Sequence, residues 1–72
     1  MEYEEICKSL NAHNREIFEQ VEEAIEIEEG RTYKRLEKPY FRFVRTLDLN
    51  ALQELADIIN DLTGQGLRVM WE

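Results

Sequence analysis

Few side chains in this sequence could carry out chemistry. His13 is the only histidine and Ser9 the only serine. His13 and Glu16 are one helical turn apart, a spacing that two metal ligands tolerate, but no third ligand accompanies them. Cys7 lies on an apolar stripe, where a cysteine is typically a small core residue rather than a nucleophile.

The numerous carboxylates offer no better catalytic arrangement. Acid–base catalysis needs carboxyl groups in separate environments beside a pocket, and a chain of 72 residues has little room for one. The sequence also lacks a glycine-rich phosphate loop. We therefore expect no enzyme activity, no catalytic residues, no metal site and no cofactor.

The strongest functional signal is a basic and aromatic stretch, RTYKRLEKPYFRFVR, at residues 31–45. It contains six of the nine Lys and Arg residues of a chain whose formal net charge is −7. Residues 1–30 are strongly acidic by contrast, with a dense series of glutamates between Glu19 and Glu29. A negatively charged chain repels nucleic acid at long range, so this basic stretch points first to a protein partner.

Length and composition indicate one small globular domain, which we expect in the cytoplasm of a cell or of an infected host cell. The 43% hydrophobic content is sufficient for a core. Residues 1–10 are acidic and lack the apolar run of a signal peptide, and no stretch approaches the roughly 20 apolar residues of a membrane span. One cysteine excludes an intramolecular disulfide. Because so small a core is commonly supplemented by a partner subunit, we expect a homodimer.

A helix is predicted over residues 2–28 from apolar residues at three- and four-residue steps. A continuous helix places Asn14 in an apolar seam, where a buried asparagine fixes the register of paired helices. Alternatively, Asn11 or Asn14 caps a second helix after a short first one. Residues 24–29 also fit a short strand. A helix of this length overhangs a small sheet, so we expect self-association through its stripe: Tyr3, Ile6, Leu10, Asn14 and Ile17.

Three further elements are predicted after this helix. They are a β-hairpin at 32–47, a helix at 49–63 and a strand at 66–71. Pro39 suits the hairpin turn, Asp48 can cap the second helix and Gly64 can end it. The order α-β-β-α-β predicts an α/β (α+β) fold, a three-stranded mixed sheet with both helices on one face.

Alternation along the strands separates a core side from an exposed side. The expected core comprises Phe41, Phe43, Leu67, Val69 and Trp71 of the strands and Leu52, Leu55, Ala56, Ile59 and Leu62 of the second helix. The expected exposed face comprises Tyr40, Arg42, Val44, Arg68 and Met70. Either Tyr33 and Arg35 or Lys34 joins it, depending on the hairpin register.

We interpret this exposed face as a partner-binding surface. Tyr, Met and Arg are enriched at protein interfaces, which favours a non-enzymatic protein–protein interaction module: a small adaptor, regulator or inhibitor. A basic protein is one candidate for its protein partner. A first alternative is binding of single-stranded nucleic acid by the same basic and aromatic side chains. A second is an acidic decoy that docks on a basic nucleic-acid-handling protein. A purely structural interpretation stays open, in which the basic hairpin neutralises the acidic helices.

Overall fold

The fold consists of helices joined by short connections. The computed structural model describes residues 3–27 and 31–71. The helices are α1 (Tyr3–Ser9), α2 (Ala12–Ile27), α3 (Arg31–Thr46) and α4 (Leu49–Thr63), and residues 64–71 follow without regular structure. Since the described ranges contain no strand, the predicted α/β fold with a three-stranded sheet is wrong, and the described part of the chain is all-helical.

Helix α3 occupies the region where the sequence predicted a hairpin. Leu36, Tyr40 and Phe43 follow one another at four- and three-residue steps, which places them on one side of a helix; Leu36 and Phe43 are fully buried and Tyr40 packs against the core. Pro39 lies inside this helix, where its missing N–H costs about 3 kcal/mol. Burial of the three apolar side chains, at about 1.5–3 kcal/mol for a fully buried one, offsets that cost.

Phe41 shows how the wrong period misplaced a side chain. Alternation along a strand put Phe41 and Phe43 on the same buried side, whereas positions two apart on a helix point in nearly opposite directions. Phe43 is buried as predicted, but Phe41 is 47% exposed. The prediction for Phe41 is therefore wrong.

The first predicted helix is broken into α1 and α2. The Asn11 side chain accepts a hydrogen bond from the Asn14 N–H at 2.8 Å, the contact that caps a helix N-terminus. The Arg15 guanidinium turns back and donates to the carbonyls of Cys7 (3.0 Å) and Leu10 (3.3 Å), which satisfies acceptors at the end of α1. The continuous helix is therefore wrong and the alternative with an Asn11 cap is confirmed. Residues 28–30, at its predicted end, lie outside the described residues.

Helix α4 has the bounds and the caps that the sequence predicted. Asp48 accepts a hydrogen bond from the Asn50 N–H at 3.0 Å, and Gly64 ends the helix with a φ of 75°. The Gly64 N–H donates to the Asn60 carbonyl at 2.8 Å, as in a left-handed helix stop. Leu47 links α3 to Asp48 with a φ of 56°, a conformation that is strained for leucine.

The core lies where α2, α3 and α4 meet. Phe18 of α2 is fully buried, and its ring centroid lies 5.3 Å from that of Phe43 and 6.3 Å from that of Tyr40. The buried apolar residues are Ile6, Leu10, Ile17, Phe18, Val21, Leu36, Phe43, Ala51, Leu52, Leu55, Ala56, Ile59 and Val69. The predicted buried face of α4 is confirmed except at Leu62, which is exposed.

Candidate interaction surface

Residues 67–70 lie between α2 and α4 and are held through their backbone by helix side chains. The Asn60 side chain of α4 donates to the Leu67 carbonyl at 3.0 Å and accepts from the Leu67 N–H at 2.7 Å. Two helical turns nearer the start of α4, the Gln53 side chain accepts a hydrogen bond from the Val69 N–H at 2.8 Å. The segment therefore runs antiparallel to α4.

Two consecutive side chains of α2 hold the other edge of the segment. Asn14 donates to the Met70 carbonyl at 3.0 Å and accepts from the Met70 N–H at 2.8 Å. His13 Nε2 lies 2.6 Å from the Arg68 carbonyl oxygen, which can only accept, so this ring nitrogen donates. We call His13, Asn14, Gln53 and Asn60 the clamp.

The clamp explains why residues 66–71 are extended without belonging to a sheet. In a strand, the backbone groups of alternate residues point to opposite edges. Here Leu67 and Val69 bond to α4, while Arg68 and Met70 bond to α2. Helix side chains thus supply the hydrogen bonds that neighbouring strands would supply, and the predicted strand 66–71 is corrected to an extended segment between two helices.

The clamped segment presents large side chains to solvent. Val69 is 5% exposed and Leu67 is half-buried, whereas Met70 is 51% and Trp71 is 55% exposed. Arg68 is exposed as well, and its side chain has neither an ion pair nor a hydrogen bond with any described residue. Arg68 and Met70 are on the outside as predicted, but the expectation that Trp71 lies in the core is wrong.

The α3 members of the predicted partner-binding surface do not join these residues on one sheet face. Arg35 pairs with Asp61 at 3.2 Å, and Arg42 pairs with Glu54, both of them residues of α4. Tyr40 donates to Glu22 of α2, and Tyr40 and Val44 are half-buried against the core. The side chain of Tyr33 lies outside the described residues. The described ion pairs are exposed, and such pairs contribute about 0–1 kcal/mol each.

The outer side of α3 forms a shallow groove around Phe41. Its lining residues are Glu37, Lys38, Phe41, Arg42, Arg45 and Thr46, and its volume is about 460 Å³. Lys38 and Arg45 form no ion pair or side-chain hydrogen bond with the part of the chain that is described. Lys38, Phe41 and Arg45 follow one another at three- and four-residue steps, a spacing that places them on one side of a helix. The sequence analysis missed this pattern because it interpreted the stretch as strands.

Most of the predicted self-association residues are buried within the chain itself. Ile6, Leu10, Asn14 and Ile17 belong to its own interior, and only Tyr3 is exposed. The argument from an overhanging long helix therefore fails, because α1 folds back at Asn11 and buries its apolar side chains.

The acidic side of α2 forms a second shallow surface. A recess of about 490 Å³ is lined by Tyr3, Glu16, Glu19, Gln20, Glu22, Glu23 and Glu26. A hydrogen bond with Cys7 raises the pKa of the Tyr3 phenol, and burial and the charges of Glu19 and Glu22 raise it further. The phenol is consequently neutral at physiological pH and can only donate or accept hydrogen bonds there.

The residues that might have done chemistry have structural contacts. Ser9 donates to the Glu5 carbonyl at 3.0 Å, His13 belongs to the clamp, and Cys7 is half-buried. Among residues 3–27 and 31–71, no three metal-ligating side chains come together. No helix in these ranges has the length and apolar character needed to cross a membrane.

The sequence analysis named His13 and Asn14 in other roles and overlooked Gln53 and Asn60, the two clamp residues of α4. Gln53 and Asn60 are seven residues apart, two turns of a helix, so they share one side of α4 beside its apolar stripe. That spacing was visible in the sequence. Comparisons of the chain with protein-family models, with curated proteins and with solved structures gave no match.

Proposed function

We propose that this chain is a non-enzymatic protein–protein interaction module that works as a small adaptor, regulator or inhibitor. Its contact surface comprises Arg68, Met70 and Trp71, which we call the C-terminal contact surface. The observation that supports this most directly is the exposure of Met70, whose backbone the clamp holds, and of its neighbour Trp71. Burying such side chains would contribute about 1.5–3 kcal/mol each, and the fold leaves that contribution unused.

The chemistry of these side chains suits a protein interface. Trp and Arg dominate binding energy at interfaces, and Met is enriched there. Because the clamp already orders the backbone of residues 67–70, binding would cost less conformational entropy than ordering a flexible tail. The partner that fits has an apolar pocket for Trp71 and an acceptor for Arg68.

The acidic character of the chain indicates the charge of the partner's surface around its apolar pocket. With a net charge of −7 and a carboxylate-rich face on α2, the chain associates fastest with proteins of opposite charge. We therefore propose a partner that is basic around its apolar pocket. We propose a cytoplasmic location because a chain with a single cysteine has no internal disulfide, whereas small secreted domains commonly depend on several.

Affinity capture from the native cell tests this proposal. The wild-type chain, Trp71→Ala and the control Phe41→Ala are used as baits with and without nuclease, and the affinity for the captured protein is then measured by calorimetry. We expect a nuclease-resistant partner, retained by Phe41→Ala and bound at least about 30-fold more weakly by Trp71→Ala, the effect of an interface hot spot. Unchanged affinity of both Trp71→Ala and Arg68→Glu would contradict the proposed surface.

The α3 groove favours one second candidate, binding of single-stranded nucleic acid. Phe41 is exposed between Lys38 and Arg45, so that a base could stack on the ring while the cations contact phosphates. The net charge of −7 opposes this at long range. Fluorescence anisotropy with a labelled oligonucleotide separates the two candidates. If the chain binds nucleic acid through phosphate contacts, its affinity for the oligonucleotide should fall steeply with added salt. Phe41→Ala should weaken that affinity, and Trp71→Ala should not.

A further inference from the structure

The groove between α2 and α4 holds residues 67–70 through their backbone. Six hydrogen bonds from the clamp reach residues 67–70, and all of them end on backbone N–H or carbonyl groups. Within the segment, only Val69 inserts a buried side chain, which is 5% exposed. These contacts require an extended segment with an aliphatic residue at the position of Val69, and they do not require that the segment belong to the same chain.

The groove also needs an occupant. Asn14 is 2% exposed, and both hydrogen-bonding groups of its amide are used by Met70. Without a segment in the groove, water would replace these hydrogen bonds and the apolar surface that Val69 covers would be exposed, which is unfavourable. A state in which the chain's own segment leaves is therefore stabilised when another extended segment replaces it.

The connection between α4 and the clamped segment can act as a hinge. Residues 64–66, with the sequence Gly-Gln-Gly, are all exposed, and no heavy atom lies within 4 Å of where a Cβ would be at Gly64 or Gly66. Glycine accepts many backbone conformations at little cost. The direction of the chain after Gly64 can therefore change without a steric clash at either glycine, at the cost of the exposed hydrogen bonds from Gln65 to the Thr63 hydroxyl.

We infer that the groove accepts the C-terminal segment of a second copy, so that two copies exchange residues 67–70 and form a dimer. The second copy supplies the required backbone and the Val69 side chain by identity. Exchange competes with closure onto the same chain, whose effective concentration is in the millimolar range for a short flexible linker. The native chain therefore exchanges at about millimolar concentration and is mainly closed at micromolar concentration.

This inference does not rest on the proposed function. Exchange uses the inner side of the segment, where Leu67 and Val69 lie, whereas the C-terminal contact surface uses Arg68, Met70 and Trp71 on the outside. Trp71→Ala should weaken partner binding and leave exchange unchanged. Failure of the exchange and failure of the proposed partner binding would therefore appear in different measurements.

Complementation between two full-length variants tests the exchange. The first chain keeps its C-terminal segment but loses its groove through Asn14→Leu and Asn60→Leu. The second chain keeps its groove, but Val69→Asp prevents its own segment from binding there. It also carries Trp71→Phe, so that tryptophan absorbance reports only on the first chain. In sedimentation equilibrium followed through Trp71, we expect the mass of 8.6 kDa to double in the mixture and not in either chain alone.

A matched control tests whether the association depends on insertion of Val69 into the groove. When the first chain also carries Val69→Asp, the association should weaken at least tenfold, because the segment that enters the groove has lost its buried side chain. Equal association of the test pair and the control pair, or no association of the test pair up to millimolar concentration, would overturn the exchange.

A hinge variant guards against misfolding of the complementation pair. Deleting Gln65 and Gly66 leaves the whole clamp intact and keeps the segment from turning back onto its own α4. We expect this variant to be dimeric at micromolar concentration and to become monomeric when Val69→Asp is added. A folded monomer after the deletion alone would also overturn the inference.

Discussion

Asn14 is the residue at which fold and candidate surface depend on each other most directly. It belongs to the apolar seam of α2, and its buried amide forms a closed pair with the backbone of Met70. The sequence indicated that a polar seam residue would specify a pairing. It could not indicate that the partner is a backbone 56 positions away, because an asparagine amide pairs equally well with a helix side chain or with a peptide group.

Replacement of Asn14 by alanine should destabilise the protein by about 1–3 kcal/mol. Alanine removes both hydrogen bonds and leaves the part-buried N–H and carbonyl of Met70 without these partners, which is the usual cost of unsatisfied groups. Urea unfolding followed by circular dichroism measures the change. The control is Glu23→Ala on the exposed side of α2, which should stay within about 0.5 kcal/mol. An equal effect of both variants would contradict the role of Asn14.

At the scale of elements, α3 shows how two periodicities compete within one sequence. The stretch from Tyr40 to Thr46 alternates well enough for a strand, and Pro39 just before it favoured a turn. The positions Leu36, Tyr40 and Phe43 fit a helix equally well, and burial decides between the two because it requires all three on one side. A proline is a strong local signal, but tertiary packing can outweigh its cost of about 3 kcal/mol.

Pro39→Ala should therefore stabilise the protein by about 1–2 kcal/mol and increase its helical circular dichroism. Alanine restores a backbone donor inside α3 and is a much better helix former than proline, although it loses part of the packing of the half-buried ring. Lys38→Ala is the control, with an expected change below about 0.5 kcal/mol. A loss of stability on Pro39→Ala would instead be the behaviour of a turn proline and would contradict the helix.

Other elements were predictable because their signals are local. The cap at Asp48, the stop at Gly64 and the apolar side of α4 need only neighbouring residues to form, and the sequence predicted all three. The C-terminal segment was predicted as a strand, which is wrong, because residues 64–71 have no regular structure. Its placement between α2 and α4 depends on His13, Gln53 and Asn60, which act on it from a distance in the chain, and no local pattern reveals that arrangement.

At the scale of the whole molecule, charge is separated between helices. The basic residues Arg35 and Arg42 of α3 are paired with α4, which agrees in part with the interpretation that positive charge balances acidic helices. Lys38 and Arg45 have no such pairing within the described chain. The chain therefore retains a basic surface on α3 and an acidic one on α2, and screening by salt should weaken any association that uses either.

The clearest whole-molecule prediction contrasts Leu55 with Trp71. A domain of 72 residues has a stability of about 4–10 kcal/mol at 0.05–0.15 kcal/mol per residue. Leu55 is fully buried at the centre of α4, so Leu55→Ala should cost about 2–5 kcal/mol through lost burial and the cavity left behind. That is a large share of the total stability.

Trp71→Ala should change the stability by less than about 0.5 kcal/mol, because its side chain is mainly exposed and exposed substitutions have small effects. Chemical denaturation of both variants under identical conditions tests the contrast. A strand with Trp71 in the core would make the two variants comparable, and such a result would contradict the exposed position of Trp71 in the C-terminal segment. If Trp71→Ala is as stable as the wild-type chain, burial of the tryptophan contributes nothing to the fold. Its apolar surface is then available to a partner, as the proposed C-terminal contact surface requires.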